Sequence, residues 1–225
     1  MLSNVLIAIP AYNEERFIGG LLQEISAIVP HDHILVVNDG STDRTREIVR
    51  SFNVRTIDHH INRGKGEAIK AAFSFARAAE YDWILFLDGD GQHPVRFLGD
   101  FFEKIQRNNS DVLLGDRRSR KESMPLHRQL SNGFSSVLVS LCAGGQRVRD
   151  SQCGFRAIRL DKMRKIQCRS TGFQVESEIL VKLGRAGAKF DHVPITTVYG
   201  NETSSIHIVW DTLKFIKLIV KSLWW

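Results

Sequence analysis

The chain has 225 residues, 43% hydrophobic and 25% charged, values ordinary for a globular protein and sufficient for one sizeable α/β domain. A formal net charge of +6 favours polyanionic partners, namely nucleotide phosphates, anionic lipid or nucleic acid, without choosing among them. Cys142, Cys153 and Cys168 lack paired spacing, which excludes a disulfide framework or zinc site and fits a reducing, cytosolic setting. The amino terminus runs directly into a strand-like segment without signal-peptide form, and no run of about 18 apolar residues is present to span a bilayer. Val5-Leu6-Ile7-Ala8-Ile9 reads as a buried strand ending at Pro10, and Phe17, Leu21, Leu22, Ile25 and Ile28 give helical spacing over Asn13 to Val29. Ile34 to Asn38 is a second strand, followed by the capping-rich turn Asp39-Gly40-Ser41-Thr42-Asp43 and a helix through Ile48 and Val49. Val54 to Ile57 is a short third strand, and an Ala-rich helix over Glu67 to Ala79 follows Asn62-Arg63-Gly64-Lys65-Gly66. The apolar run Trp83 to Leu87 predicts a strand buried on both faces. This alternation means parallel strands with right-handed crossovers. Beyond Pro94 the pattern predicts a helix to Gln106, a strand at Val112 to Gly115 and a helix over Leu126 to Leu141. A strand at Gln152 to Ile158, a helix over Glu176 to Gly184 and a last strand over Phe190 to Val198 complete it. With no internal repeat or linker, the expected division is one domain over residues 1–200 and an amphipathic carboxyl-terminal segment over 201–225.

The chemistry sits at strand ends. Asp88 and Asp90 leave the fourth strand at alternate positions, so both side chains face one way, while Gly89 and Gly91 admit close approach of a ligand. Carboxylates placed there suit Mg2+ or Mn2+ beside a phosphate, although the triplet alone also reads as an acidic turn. Tyr12 and Glu14 after the first strand suit stacking on a nucleobase and accepting ribose hydroxyls, or simply a helix start. Asp39 after the second strand is placed to read a base or ribose edge, with a helix cap as its plainer role. Lys65 stands at a glycine-flanked helix start that suits an anion but lacks Walker spacing. Near the carboxyl terminus Lys214, Lys217 and Lys221 lie beside Leu213, Ile216, Val220 and Leu223, with Trp210, Trp224 and Trp225 nearby. That pattern fits a helix in the headgroup plane of a membrane, or one docked on the domain or on another subunit of a homo-oligomer. Arg147, Arg149, Arg164 and Arg169 read as a solvated face, and no nucleic-acid-binding signature accompanies them.

In this order, four segments resemble the family 2 glycosyltransferases of the GT-A fold: Ile9-Pro10-Ala11-Tyr12-Asn13-Glu14-Glu15, Val36-Val37-Asn38-Asp39-Gly40-Ser41-Thr42-Asp43, Asn62-Arg63-Gly64-Lys65-Gly66 and Asp88-Gly89-Asp90. Gln92-His93-Pro94, Gly115-Asp116-Arg117 and the stretch Asp150 to Arg156 make the chain most similar to synthases that transfer a sugar from a nucleotide donor to a polyprenyl phosphate. The resemblance implies an α/β architecture, a Rossmann-like and mostly parallel central sheet with helices on both faces. It implies that Pro10, Tyr12, Glu14, Val37 and Asp39 hold the nucleoside, and that Asp88, Asp90 and Gln92 take the metal and diphosphate. Arg117 then meets donor or acceptor phosphate, and an acid facing the acceptor is either Glu176 or Glu178. Inversion at the sugar and action as a peripheral protein at the cytoplasmic membrane face are implied as well. Where polyprenyl-phosphate mannose synthases carry an Arg and a Ser-Lys pair, Val198 to His207 holds neither Arg nor Lys, so UDP and GDP both stay open as the nucleotide.

Chemistry independent of the name agrees. Breaking an anomeric C–O bond to a nucleoside diphosphate requires the departing charge to be stabilised, which a carboxylate-bound cation and an Arg can do. A phosphate monoester, with a second pKa of about 6, needs little help from a base at neutral pH, whereas a hydroxyl acceptor needs one. The competing readings are therefore the same donor chemistry on a saccharide or other hydroxyl, with Glu176 or Glu178 as base, and a non-catalytic nucleotide-sugar or membrane-binding module.

Overall fold

A computed structural model describes residues 4–119, 126–197 and 208–222. Strand β1 (Val5–Ala11) lies inside a seven-stranded sheet with β2 (Ile34–Asn38), β3 (Arg55–Asp58), β4 (Trp83–Phe86), β5 (Val112–Asp116), β6 (Arg156–Arg159) and β7 (Phe190–Pro194), in the order β3-β2-β1-β4-β6-β5-β7. All neighbours are parallel except that β6 runs antiparallel to both β4 and β5. From β1 the chain moves outward to β2 and β3, then returns to place β4 on the opposite side of β1. That reversal opens a crevice at the carboxyl ends of β1 and β4, where open α/β sheets bind ligands.

Side chains on alternate strand positions feed two cores. Ile7, Ile9, Ile34, Val36 and Leu85 pack under α1 (Ile18–Ser26), α2 (Thr45–Arg50) and α4 (Leu98–Arg107). Leu6, Ala8, Leu35, Val37, Ile84 and Phe86 pack under α3 (Lys65–Ala78), α5 (Leu126–Cys142) and α6 (Gln174–Arg185). Ala68, Ala72 and Ala76 explain the Ala-rich helix, since small side chains at this spacing let α3 lie close on the sheet. Helix α7 (Ile208–Ser222) docks on α5 and α6 through Phe215, Leu218, Ile219 and Ser222. Among the described residues no helix is long and apolar enough to cross a membrane.

Several sequence boundaries shift for local reasons. Strand β1 continues through Pro10, because its pairing with β4 stops at Ala8 opposite Phe86 and the proline nitrogen has no ladder partner to lose there. The first helix begins at Ile18, since residues 13–17 form a turn with Phe17 and Ile18 N–H both donating to Glu14 O. The helix after Pro94 opens as a 3-10 turn at Val95–Phe97. Strand β6 starts at Arg156, because residues 152–155 instead wrap beneath the crevice. Val198, the expected end of the last strand, and His207 lie outside the described residues, as does the placement of the side chains of Trp210, Leu213, Leu223, Trp224 and Trp225.

Candidate functional site

The loops after β1 and β2 are stitched together by short polar side chains. Asn13 takes a left-handed backbone with φ 59°; its side-chain oxygen accepts Thr42 N–H at 2.8 Å, and its N–H reaches Ser41 Oγ at 3.0 Å. Glu14 N–H donates to Thr45 Oγ1 at 2.7 Å, Glu15 N–H to Asp43 Oδ2 at 3.1 Å, and the Glu15 carboxylate accepts Arg44 N–H at 3.0 Å. Gly40 is required at φ 71°, because a Cβ would come within 2.3 Å of the Ile61 carbonyl carbon. Pro10 and Val37 are buried in the strand ends, Glu14 is half-buried, and Tyr12 stands 42% exposed at the rim. Asp39 is buried and accepts His59 Nδ1–H at 2.6 Å, Arg63 N–H at 3.1 Å and Gly64 N–H at 2.7 Å. It clamps the segment before α3, so any base or ribose edge must share its oxygens with these donors.

Asp88 meets this segment from the other side. Lys65 Nζ, at the start of α3, lies 2.7 Å from Asp88 Oδ1 and 3.3 Å from Glu176 Oε1 on α6, and Arg156 from β6 reaches the same Glu176 oxygen at 3.4 Å. Four elements thus contribute alternating charges to one cluster. Burial opposes the charge on Lys65, but Asp88 and Glu176 outweigh it and hold the ammonium well above the ordinary lysine value. Burial likewise opposes ionisation of Asp88, yet Lys65 beside it keeps the carboxyl below its usual range. His93 packs nearby against the Phe155 ring; burial pushes it down to about 4 despite the pull of Asp88, so the imidazole is neutral at neutral pH. Asp88 rests directly on Gly154, where a Cβ would sit 2.0 Å from Oδ2. Asp90 Oδ1 accepts Gln92 N–H at 2.9 Å, a turn that ties the backbone of Gln92 to Asp90.

Arg117, just past β5, is gripped by the fully buried Asp150 through Nε at 2.7 Å and a terminal nitrogen at 2.9 Å. Asn132 on α5 donates to Asp150 at 2.8 Å, its own oxygen accepts Ser136 Oγ–H at 3.2 Å, and Ser151 N–H donates to Ser136 Oγ at 2.9 Å. Burial alone would raise the Asp150 carboxyl, but Arg117 and Asn132 hold it below the usual range. The expected solvated arginine face is corrected at Arg149, which is half-buried and pairs with Asp116 at 3.3 Å.

Glu176 and Glu178 stand two residues apart on α6, about 200° around the helix, and enter different surroundings. Glu176 belongs to the Lys65 and Asp88 cluster. Glu178 is fully buried, accepts Arg169 and Ser170 N–H at 2.9 and 2.7 Å, and binds Lys182 Nζ at 2.6 Å, so it fastens the preceding loop to α6. Sequence reasoning assigned no role to Gly154, Arg156, Asp150 or Asn132. The signal for Asn132 was present: with Ser135, Ser136 and Ser140 it forms a polar line at helical spacing, set apart from the apolar line Leu130, Phe134, Val137 and Leu141 of the same helix.

The donor set at Asp88 and Asp90 is all oxygen and suits Mg2+ or Mn2+, with the Lys65 ammonium already showing that a cation is favoured against Asp88. Among the described residues no group of three or more His, Cys, Asp or Glu could hold an ion by itself.

The sequence profile of Glycosyl transferase family 2 matches residues 6–175. A protein of Methanocaldococcus jannaschii without assigned function is 33% identical over 96% of this chain and 98% of its own. A dolichyl-phosphate hexose transferase of Haloferax volcanii is 31% identical over 85% of this chain and 82% of its own. Among solved structures, glucosyl-3-phosphoglycerate synthase from Mycobacterium tuberculosis in complex with UDP superposes with a TM-score of 0.76 at 19% identity, covering 97% of this chain and 79% of that one. The same enzyme has been crystallised with Mn2+ and UDP-glucose.

Proposed function

The chain belongs to glycosyl transferase family 2, and from that premise we propose that it transfers a sugar, with inversion, from a UDP- or GDP-linked donor to a polyprenyl phosphate. The observation that carries the acceptor is the state of the two candidate acids on α6. Glu176 is paired with Lys65 and Arg156, and Glu178 with Lys182 and two backbone N–H groups, so neither is poised to deprotonate an alcohol. A phosphate monoester is already largely ionised and attacks without that help. The Haloferax relative, named for a dolichyl-phosphate acceptor, supports the same choice.

In this reading Pro10, Tyr12, Glu14, Val37 and Asp39 bind the nucleoside, and Lys65, Asp88, Asp90 and Gln92 surround the diphosphate. Bound between the two carboxylates and the donor, Mg2+ or Mn2+ would supply charge neutralisation for the departing nucleoside diphosphate. Lys65 adds a second positive charge at the same place, and Gly154 lets Asp88 lie flat against the backbone so that its oxygens stay aimed into the crevice. Arg117, oriented by Asp150 and Asn132, meets donor or acceptor phosphate. Residues 1–200 form the catalytic unit, acting peripherally at the cytoplasmic face of the membrane.

The test is transfer from radiolabelled UDP- and GDP-sugars, with Mn2+, into undecaprenyl or dolichyl phosphate. Label should enter the organic phase, and should be lost on chelation and in Asp90→Ala. Metal-dependent nucleotide binding with no label in any lipid would replace the polyprenyl phosphate by a hydroxyl acceptor, and absence of nucleotide binding would remove the donor assignment.

A further inference from the structure

Helix α5 has two contrasting faces. Inward, Asn132, Ser135 and Ser136 are buried and hold Asp150, Ser151 and Gln152. Outward, Leu130, Phe134, Val137 and Leu141 recur at i, i+4, i+7 and i+11 and are 68%, 66%, 57% and 71% exposed. Single exposed apolar residues are ordinary on a protein surface, but four large ones on one line of one helix, directly opposite its buried face, form a stripe without a partner among the described residues. The line is about 16 Å long, too short to cross a bilayer and suited to lying along one.

We propose that this face of α5 is a docking surface for an anionic lipid bilayer, with the stripe entering the boundary between headgroups and acyl chains. Charge chooses this occupant over a second copy of the chain. Residues 129–142 contain no charged side chain, so no charge must be desolvated along the stripe. The adjoining α7 exposes Ile216 and Val220 on one flank and Lys214, Lys217 and Lys221 on the other, a basic rim that repels a like-charged copy and attracts anionic headgroups. The inference goes beyond the carboxyl-terminal segment suspected from sequence and rests in part on the lipid acceptor proposed above. Because the inward face of the same helix positions Asp150, docking through α5 sets the height of Arg117 above the lipid surface.

The full chain and its Phe134→Asp/Leu141→Asp variant can be compared by flotation with vesicles of phosphatidylcholine alone or mixed with phosphatidylglycerol. Wild type should float with the anionic vesicles, and the variant, with an unchanged thermal transition, should lose at least about tenfold in partitioning. The variant should keep transfer to a short, water-soluble prenyl phosphate and lose transfer only to the long-chain acceptor in vesicles. Equal partitioning of variant and wild type overturns the surface, as does a wild-type dimer that the substitutions convert to monomer. Vesicle binding sensitive to the substitutions, in a protein that glycosylates no prenyl phosphate, supports the surface while removing the proposed acceptor.

Discussion

The loops after β1 and β2 and the framework of β6, α5 and α6 line opposite sides of one crevice, but they are held in different ways. On the first side Asn13, Glu15, Ser41, Asp43 and Thr45 exchange neutral or singly charged hydrogen bonds with backbone N–H groups, and every donor and acceptor lies in the two short loops or at the first residue of α2. On the second side the ties are buried or half-buried ion pairs between distant segments: Lys65 with Asp88 and Glu176, Arg156 with Glu176, Arg117 with Asp150. The first kind of tie is modest and replaceable, worth about 1 kcal/mol each. The second is severe when broken, because removing one partner leaves a buried charge without compensation. Under the proposed function the loop side would take the nucleoside and the ion-paired side the phosphates, and fixed charges suit the side that meets charge developing during the reaction.

Substitutions at the crevice test this contrast. Asp90→Ala should lower kcat by roughly 1,000-fold or more, the scale of losing the main electrostatic partner of a leaving group, while circular dichroism shows an unchanged fold. A variant that still turns over at the wild-type rate would detach the metal from Asp90. Gly154→Ala forces a methyl group to where Asp88 Oδ2 now lies, and a displacement of about 1 Å in a site of this kind costs on the order of 100-fold in rate. Its thermal transition should move far less than its activity, and the reverse ranking would make Gly154 a folding residue only.

Glu178→Gln sharpens the comparison between the two neighbouring acids. It should cost about 1.5–3 kcal/mol of stability, the worth of hydrogen bonds to a charged group, with kcat/KM nearly unchanged. The folded Glu178 carboxyl is depressed: burial raises it, but Lys182 and the Arg169 and Ser170 N–H groups lower it more. Its stabilising contribution is therefore present above the unfolded value and lost as pH falls through the folded one, so urea midpoints of wild type and variant should converge toward acid pH. Parallel curves at all pH values would show that the ionised form contributes nothing. The smallest effect belongs to the loop stitch: Glu15→Ala should lose about 1 kcal/mol and raise the KM for donor a few-fold, with kcat kept. A collapse of kcat there would erase the distinction between the two sides.

Much of the first side was legible in the chain itself. The apolar runs at Val5, Ile34 and Trp83 emptying into Asn13, Asp39 and Asp88 fix buried parallel strands whose ends carry polar groups, because both signals are local and the crevice lies where such strands stop. The bend that delays α1 to Ile18 was not legible, since it depends on Ser41 and Thr42 reaching across to Asn13. The antiparallel β6 was also hidden: Arg156 to Arg159 has no local mark of direction, and its pairing with β4 joins residues far apart in the chain.

The sequence by itself determined that the chain is an α/β protein with carboxylates at strand ends, because periodicity and turn chemistry act over a few residues. Which acid joins the Lys65 and Asp88 cluster was decided only in three dimensions. Glu176 and Glu178 share a helix, a residue type and nearly a position, and they part company because a two-residue step turns one toward Lys65 and Arg156 and the other toward Lys182 and the 169–170 loop. In the same way, α5 carries a polar line and an apolar line in sequence, and only packing shows that Asn132, Ser135 and Ser136 turn inward beside Val139 and Cys142 while Leu130, Phe134, Val137 and Leu141 stay exposed. Hydrophobic pattern assigns a helix its faces, but the energy of satisfying Asp150 and Arg117 decides which face turns inward.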